Sequence, residues 1–312
     1  MSQPLISICI PAYKRINFLR RLLNSIAIQT FRNFEVIVSD DSKTNEVSDL
    51  IEEVKCKFHI IYQKNLVALG TPENWNKAIS LASGSWIKLM HDDDWFVDEN
   101  SLQAWANAAI NRPETFIYAK YNNYFFSSGK TEVMHSQLFL RYLMHRNPFV
   151  LLSRNIIGPP SVIMHKNNKD LKYDCLIKWL VDIEFYIRRL KSEKFYYINK
   201  QLVNVGMGDE QVTAYCHANP HIEIPEFFYF LEKTGLIQLK NILVYDTWWR
   251  LFRNYNIRNN LGLSAYYSGS CPEAINRIIE DIAKCPKVIL KIGLFSKFIM
   301  AISFFKNRKM LK

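Results

Sequence analysis

The first ninety residues repeat one arrangement, in which an apolar segment leads into a polar turn and then into an amphipathic helix. Short apolar runs predict strands over 5–10, 34–39, 58–62 and 86–90. Helices are predicted between them, over 17–29, 46–54 and 72–82. This alternation indicates a largely parallel sheet with helices on both faces. Ligands of such sheets bind beyond the carboxyl ends of the strands.

The predicted strand ends carry charged and aromatic residues that would meet at that edge. The first strand is followed by Tyr13 and Arg15, the second by Asp40 and the fourth by the triplet 92–94, which is Asp-Asp-Asp. Adjacent carboxylates repel one another, so a positive charge is expected among them. Mg²⁺ and Mn²⁺ prefer oxygen ligands and bridge proteins to diphosphates. A metal-bound nucleotide suits this edge, and a solvated turn with a capping aspartate is the alternative.

Bulk properties limit the choice of class without deciding it. A chain of 312 residues can form one large or two modest domains. The formal net charge of +11 favours anionic partners in general. Six cysteines without a C-x-x-C pair indicate reduced thiols rather than a disulfide framework or a zinc site. The start of the chain lacks the pattern of a signal peptide, so we expect a cytoplasmic location.

Four segments together resemble family 2 glycosyltransferases of the GT-A nucleotide-sugar-binding fold. They are the opening 6–15 (ISICIPAYKR), 36–42 (VIVSDDS), 74–86 and the acidic triplet, which follow one another in the expected order. The resemblance implies an α/β, Rossmann-like mixed sheet that is largely parallel in its N-terminal half, flanked by helices and followed by a helical C-terminal extension. It also implies the residues that contact the nucleotide or the donor sugar. These are Pro11, Tyr13, Arg15, Asp40, Asn65, Asn76, Asp92 and Asp93, with Lys64 as an alternative to Asn65.

The acidic triplet departs from the family pattern at one position. Many relatives carry D-x-D-D, whereas His91 occupies the place of the first aspartate here. In an extended segment Asp92 and Asp94 project to one face and Asp93 to the other. The resemblance therefore implies that Asp94 and Asp92 hold Mn²⁺ or Mg²⁺ and that Asp93 contacts ribose or sugar. His91 is expected to be a structural neighbour.

A helix predicted over 180–190 supplies the candidate catalytic base. Its apolar spacing predicts one buried stripe and an opposite face that presents Asp182, Phe185, Tyr186 and Arg189. The segment resembles the acidic motif of the family, although Val181 replaces the usual glutamate. Asp182 keeps the position that removes the acceptor proton in inverting members. An exposed ion pair with Lys178 is the alternative interpretation.

Two further segments resemble parts of the family that face the acceptor and the nucleotide. The turn 155–161 precedes a strand predicted over 162–165 and matches the acceptor-side loop. The acceptor-side residues implied are Gly158, Pro159, Ser161 and Glu184. The segment 206–213 resembles a flexible stretch that closes over the nucleotide. His217 is interpreted as an ordinary loop histidine, because no clear metal-binding histidine is present.

The resemblance implies a metal-dependent inverting glycosyltransferase with a catalytic domain over 1–215 and a helical region over 216–312. The donor is expected to be a nucleoside-diphosphate sugar, with UDP as the first choice. The acceptor is a hydroxyl of a glycan or lipid-linked glycan, as in bacterial surface-polysaccharide or lipopolysaccharide assembly. The basic, apolar C-terminal segment predicts an amphipathic helix on the anionic cytoplasmic face of the inner membrane, and packing on the enzyme or a second subunit is the alternative.

Other classes fit the sequence less well. A sugar nucleotidyltransferase would ordinarily have a glycine-rich first turn, and a dinucleotide dehydrogenase requires G-x-G-x-x-G after its first strand. Neither pattern is present. The acidic strand edge disfavours nucleic acid as a partner. A non-catalytic protein that binds glycans or nucleotide-sugars stays open, because Val181 and His91 both depart from the usual pattern.

Overall fold

The computed structural model describes residues 3–112, 115–208, 216 and 218–308. Its strands form one sheet in the order β3-β2-β1-β4-β8-β6-β9-β5, and β7 pairs with β6. The strands are β1 (Ile6–Ala12), β2 (Phe34–Asp40), β3 (Ile60–Lys64), β4 (Trp86–Leu89), β5 (Trp95–Phe96), β6 (Thr115–Phe125), β7 (Thr131–Met134), β8 (Ile163–Lys166) and β9 (Lys194–Met207).

The relative direction of neighbouring strands changes at β4. From β3 to β4 the neighbours are parallel, as predicted. Beyond β4, β8 is antiparallel to both β4 and β6, whereas β6 and β9 run parallel. Every residue of β2 and of β4 is buried, including the polar residues Glu35 and Lys88, so both faces of these strands are covered.

Helices cover the sheet and form most of the C-terminal third of the described chain. They are α1 (Ile16–Ala27), α2 (Glu46–Val54), α3 (Glu73–Ser80), α4 (Ser101–Asn111), α5 (Leu138–Arg146), α6 (Val181–Leu190), α7 (Pro220–Thr234), α8 (Ile242–Asn254), α9 (Asn260–Ser264), α10 (Glu273–Ala283), α11 (Lys287–Lys291) and α12 (Gly293–Asn307). Short 3₁₀ turns lie at Pro148–Leu152, Pro160–Val162 and Leu236–Lys240. The strands and helices predicted in the first ninety residues all form, and their ends lie within two residues of the predicted ones.

The prediction of an open face on α6 is wrong. Phe185 and Tyr186 are fully buried and Arg189 is 2% exposed, so the helix is enclosed on more than its apolar stripe. The ring of Phe185 stacks on Tyr173 with centroids 4.1 Å apart, and Tyr186 meets Phe116 edge-on at 5.7 Å. Aromatic residues on the predicted open face therefore pack within the core.

A buried carboxylate fixes the turn that leads into β4. Glu35 of β2 accepts hydrogen bonds from the Ser7 hydroxyl at 2.6 Å and from the backbone N–H groups of Ser83 and Gly84 at 2.6 and 3.0 Å. A Cβ at Gly84 would lie 2.6 Å from the Ser7 hydroxyl oxygen, so only glycine fits there without a shift. This anchor sets where β4 begins and hence where the acidic triplet after it emerges.

The chain divides into two compact units. One comprises Met1–His145 and Ile156–Gln211, and the other comprises Arg146–Asn155 and Val212–Lys312. Within the described ranges, the helices are all too short or too polar to cross a lipid bilayer.

Candidate functional site

The carboxyl ends of β1, β2 and β4 lie side by side, as the sheet topology predicts. Ala12 at the end of β1 is paired with Asp40 at the end of β2. The N–H of Met90, just after β4, donates to the carbonyl of Cys9 in β1 at 2.9 Å. The turns that follow these three strands therefore share one edge of the sheet.

Arg15 binds two of the three aspartates of the triplet. Its guanidinium donates to both carboxylate oxygens of Asp92 and, through Nη1, to Asp93 Oδ2 at 3.0 Å. Burial raises the pKa of Asp92 to about 7, and the positive charge of Arg15 opposes that rise. The expected positive charge beside the triplet thus includes a side chain of the protein itself.

A second set of groups at the triplet has the composition of a metal site. One ligand atom each from His91, Asp93 and Asp94 lie within 4.8 Å of one another. Within the described residues, the buried atoms His91 Nε2 and Asp94 Oδ2 have no hydrogen-bond partner. Burial lowers the pKa of His91 to about 4, which keeps the imidazole in its neutral, ligating form. A divalent cation that takes oxygen and imidazole ligands, such as Mn²⁺, fits this set.

This geometry differs from the sequence-based expectation in one member. Asp94 is in the set, but His91 stands where Asp92 was expected, because Asp92 is held by Arg15. The two assignments share Asp94, and direct ligation by Asp92 stays a prediction.

Strand β9 packs against Asp93 and Asp94 at Gly206. The N–H of Gly206 in β9 donates to Asp94 Oδ1 at 3.0 Å. A Cβ at Gly206 would lie 2.5 Å from the carbonyl oxygen of Asp93, so the strand approaches the triplet too closely for a side chain. The triplet is therefore a fixed turn with buried carboxylates.

Ser161 also helps to fix the position of the triplet, through a bond to the residue before it. Its hydroxyl accepts from the N–H of His91 at 2.9 Å, and its carbonyl accepts from the ammonium of Lys88 in β4. Ser161 is fully buried, so the structure places it behind the triplet; its predicted contact with an acceptor stays a prediction. Burial lowers the pKa of Lys88 to about 7, and the nearby Asp94 carboxylate opposes that shift.

Asp182 lies in the first turn of α6 in surroundings that suit a base. Its Oδ1 accepts from the N–H of Ile183 at 2.8 Å, and burial raises its pKa to about 6. A carboxylate tuned upward toward neutral pH is a better proton acceptor than an ordinary surface aspartate.

The carboxylates of Asp94 and Asp182 both act electrostatically on Tyr121 of β6. Burial raises the pKa of its phenol to about 12, and the charges of Asp94 and Asp182 add to that rise. Gly158 has a φ of +108°, and a Cβ there would lie 2.6 Å from the Tyr121 ring. Gly158 is therefore required both by its positive φ and by the close approach of the Tyr121 ring. Tyr121 is influenced by a carboxylate of the triplet and by the candidate base.

The nucleotide-binding residues predicted around β2 and α3 already have partners within the protein. The Asp40 carboxylate accepts from the Ser42 N–H and the Tyr62 hydroxyl, both at 2.8 Å. The side-chain amide of Asn65 donates to Asp41 at 2.8 Å, and that of Asn76 donates to the carbonyl of Tyr173 at 2.8 Å. These bonds order the edge of the sheet, and the ligand contacts of these residues stay predictions.

Other predicted residues are more open or otherwise engaged. Tyr13, in the turn after β1, is 49% exposed, and Pro11, near the end of β1, is partly exposed. The Glu184 carboxylate binds Arg188 through two oxygens at 2.9 and 3.0 Å. Pro159 is partly exposed next to Gly158. Residues 209–213 and His217 lie outside the described residues.

Tyr121 and Lys88 were not identified from the sequence. Lys88 left a visible signal, because it is the one charged residue in the apolar run 86–90. Tyr121 left none, since β6 meets Asp94 and Asp182 only through long-range packing.

Comparison with known proteins identifies the family of the chain. The family model described as "Glycosyl transferase family 2" matches residues 7–171. The abequosyltransferase RfbV of Salmonella typhimurium is 38% identical over 94 residues, which cover 29% of this chain and 28% of that protein. The Escherichia coli UDP-Glc:alpha-D-GlcNAc-diphosphoundecaprenol beta-1,3-glucosyltransferase WfaP is 34% identical over 93 residues, 30% of this chain and 37% of that protein. The matched segments thus span about a third of these relatives.

The fold as a whole is similar to solved structures. The structure of S. aureus TarS 1–349 in complex with UDP-GlcNAc aligns with a TM-score of 0.62 at 15% identity, covering 98% of this chain and 90% of that one. At this identity the similarity shows the fold, which is the GT-A fold expected from the sequence.

Proposed function

Because the chain belongs to glycosyl transferase family 2, we propose that it transfers a sugar from a nucleoside-diphosphate sugar to a hydroxyl group of a glycan or lipid-linked glycan. The observation that carries this proposal is the presence of two acidic sites with different properties, one suited to a metal ion and one with a carboxyl pKa raised toward neutral pH. The His91, Asp93 and Asp94 set suits a metal–diphosphate, and the partly buried Asp182, with its raised pKa, suits an acceptor proton.

In this proposal the protein residues orient the reactants and move one proton. Arg15, His91, Asp93 and Asp94 would position the diphosphate and its cation. The bound Mn²⁺ or Mg²⁺ would supply Lewis-acid stabilisation of the negative charge that develops on the leaving group. Asp182 would accept the proton of the attacking hydroxyl, because its raised pKa of about 6 brings it near working pH.

The stereochemical outcome follows from the number of placed carboxylates. A retaining mechanism by double displacement requires a second carboxylate that forms a covalent intermediate. Asp92 is held by Arg15 and Glu184 by Arg188, which supports a single displacement from the Asp182 side. We therefore propose inversion at the anomeric carbon.

The finer identity of donor and acceptor rests on similarity. UDP is the proposed nucleotide, because UDP-glucose is named for WfaP and UDP-GlcNAc is bound in TarS. A lipid-linked saccharide is the proposed acceptor, in surface-polysaccharide or lipopolysaccharide assembly, with peripheral contact between the enzyme and an anionic membrane.

The proposal predicts metal-dependent nucleotide binding that depends on Asp94. Calorimetry with UDP and other nucleoside diphosphates, with and without Mn²⁺ or Mg²⁺, should show tight binding to the wild type only with metal. Asp94→Ala should lose that metal dependence, because it removes a carboxylate shared by both candidate ligand sets.

The matched control is Glu52→Ala, which removes an exposed carboxylate from α2 and should bind nucleotide like the wild type. Absence of binding for every nucleotide would overturn the proposal. Tight binding without transfer to any acceptor would favour a non-catalytic nucleotide-sugar-binding protein.

A further inference from the structure

The last two described helices carry a concentration of exposed apolar side chains. Eight large apolar residues between 288 and 305 are 37–80% exposed. They are Val288, Ile289, Ile292, Leu294, Phe295, Phe298, Ile302 and Phe305. Scattered exposed apolar residues are ordinary, but a contiguous run of this kind marks a surface that contacts something other than water.

The polarity of α12 is partly reversed relative to that of an ordinary surface helix. Three of its five buried residues are polar, namely Ser296, Ser303 and Asn307, and the other two are Met300 and Phe304. Its leucine and three of its four phenylalanines face outward. A surface helix normally turns its apolar stripe toward the core and its polar residues toward solvent.

Hydrogen bonds fix this orientation. Ser296 accepts from Trp249 Nε1 at 3.1 Å, and Ser303 lies 2.7 Å from the Tyr245 hydroxyl, both in α8. The Asn307 amide donates to Asp281 of α10 at 3.0 Å. Turning the apolar face inward would leave these buried polar groups without partners. The outward position of the apolar face is therefore built into the packing.

The outward residues form a stripe with basic residues on its borders. Positions 294, 298, 302 and 305 follow three- and four-residue spacing and so share one side of the helix. Lys297 and Arg308 lie along one border of the stripe, and Lys306 on the other border is bonded to Asp281 at 2.7 Å. No aspartate or glutamate occurs after Asp281 in the sequence, so the segment carries only positive charge.

We propose that α11 and α12 form a docking surface for an anionic lipid membrane, which deepens the proposed function and rests on it for the lipid-linked acceptor. The stripe enters the boundary between headgroups and acyl chains, and the basic residues other than Lys306 contact lipid phosphates. Long basic side chains reach from such a stripe to the headgroups.

The charge distribution selects this occupant over a protein surface. A second copy of the chain would bring one cationic border against another and lose free energy through repulsion. A purely apolar partner would leave the basic residues unpaired. An anionic lipid surface complements both the stripe and its borders.

The test is flotation of the full chain with vesicles of phosphatidylcholine containing about one-third phosphatidylglycerol, compared with pure phosphatidylcholine. We expect binding to the anionic vesicles that weakens as salt rises from about 0.1 M to about 0.5 M. The double variant Leu294→Ser with Phe298→Ser should bind about 100-fold more weakly, because each buried apolar side chain accounts for at least roughly tenfold. Lys287→Gln with Lys291→Gln should lower affinity roughly fivefold for each charge removed.

The matched control is Ile110→Ser with Leu261→Ser, which removes two exposed apolar residues elsewhere and should bind like the wild type. Unchanged melting temperatures show that the variants fold. Equal flotation with both vesicle types, or undiminished binding by Leu294→Ser with Phe298→Ser, would overturn the proposal. Self-association lost in that variant, without vesicle binding, would identify a second copy as the occupant.

The two proposals fail separately. Vesicle binding is measured without donor, and Asp182→Asn should float like the wild type. Transfer to a soluble acceptor is measured without vesicles and should survive in Leu294→Ser with Phe298→Ser.

Discussion

At the scale of residues, burial separates the acidic groups of the site into different roles. The pKa of Asp92 is raised and its carboxylate is bound by Arg15, whereas the pKa of Asp182 is raised and its carboxylate accepts from the backbone N–H of Ile183. The same desolvation therefore yields a charge-paired carboxylate in one place and a candidate base in the other.

Asp182→Asn should abolish transfer while nucleotide affinity stays near that of the wild type. Loss of a general base lowers the rate by roughly 100- to 10,000-fold, and Asp182 is outside the metal set. In the wild type, the rate of transfer should rise with pH through about 6, because the base acts when deprotonated. Steady-state rates across pH and calorimetry with nucleotide measure both effects.

The same variant should be more stable than the wild type at high pH. Since the folded-state pKa of about 6 exceeds the ordinary 3.8, ionisation of Asp182 disfavours the folded state as pH rises through that window. Asp182→Asn should gain about 2 kcal/mol in the free energy of unfolding at pH 8 and almost nothing at pH 3.5. Asp49→Asn, at an exposed position, serves as the control.

A large loss of nucleotide affinity in Asp182→Asn would contradict the role of Asp182 as the base that accepts the acceptor proton.

Candidate residues could be named from the sequence where a local motif carries them, as for Asp94 after β4 and Asp182 at the start of α6, and their roles stay predictions. The position of His91 in the possible metal set and the electrostatic effect of both carboxylates on Tyr121 were not predictable, because they depend on how the triplet turns and on long-range packing. Arg15 was expected to bind a ligand, and its bond to Asp92 could not be predicted because it joins residues 77 positions apart.

At the scale of elements, one carboxylate anchors α12 to the helices beneath it. Asp281 accepts from Lys306 at 2.7 Å, from the Ser303 hydroxyl at 2.8 Å and from the Asn307 amide at 3.0 Å. Burial alone would raise the pKa of Asp281, but these hydrogen bonds outweigh it and the pKa lies below its ordinary value.

Asp281→Asn should lower the free energy of unfolding by about 1–3 kcal/mol at pH 7, because it removes the charge from three buried hydrogen bonds. A depressed carboxyl pKa stabilises the fold above the ordinary value and loses that effect as pH falls below it. The difference between wild type and variant should therefore shrink below about pH 4. Urea unfolding at several pH values measures it.

Glu280→Gln is the control on the same helix, because Glu280 is exposed and contacts Arg277 at 3.5 Å. Equal stability of Asp281→Asn and the wild type at pH 7 would show that α12 is held by its apolar contacts alone.

Element positions in the N-terminal half were predictable because strand and helix periods differ clearly there. The extent of burial on α6 was not predictable. The sequence shows one apolar stripe on this helix, but it does not show that Tyr186 packs against Phe116. The outward position of the apolar side chains of α12 was also not predictable, because a helix with apolar and polar residues on several sides does not indicate which face packs against the protein.

At the scale of the whole molecule, the chain passes between its two units more than once. Residues 146–155 belong with the C-terminal unit although the sheet residues on either side do not. Phe149 meets Phe230 with ring centroids 6.2 Å apart, and Arg250 donates to the carbonyl of Ser153 at 3.0 Å. No periodicity in the sequence indicates this assignment.

A chain that ends at residue 211 should therefore bind a hydrophobic dye and aggregate. The apolar residues of the 3₁₀ turn Pro148–Leu152 are 1–9% exposed in the full chain and lose their partners in the truncated one. Dye fluorescence and sedimentation measure the effect. Adding Phe149→Ser and Leu151→Ser to the truncated chain should restore solubility, whereas a soluble, dye-free truncated chain would contradict the division.

The outward stripe on α12 has a consequence for protein engineering. Standard solubility design replaces exposed leucine and phenylalanine by charged residues, and here it would raise the yield of protein in water. Since the inner face is already held by hydrogen bonds, such a variant would still fold and pass every quality check in dilute buffer. If the stripe docks on a membrane as we propose, selection for ease of handling would therefore favour a variant that no longer binds lipid.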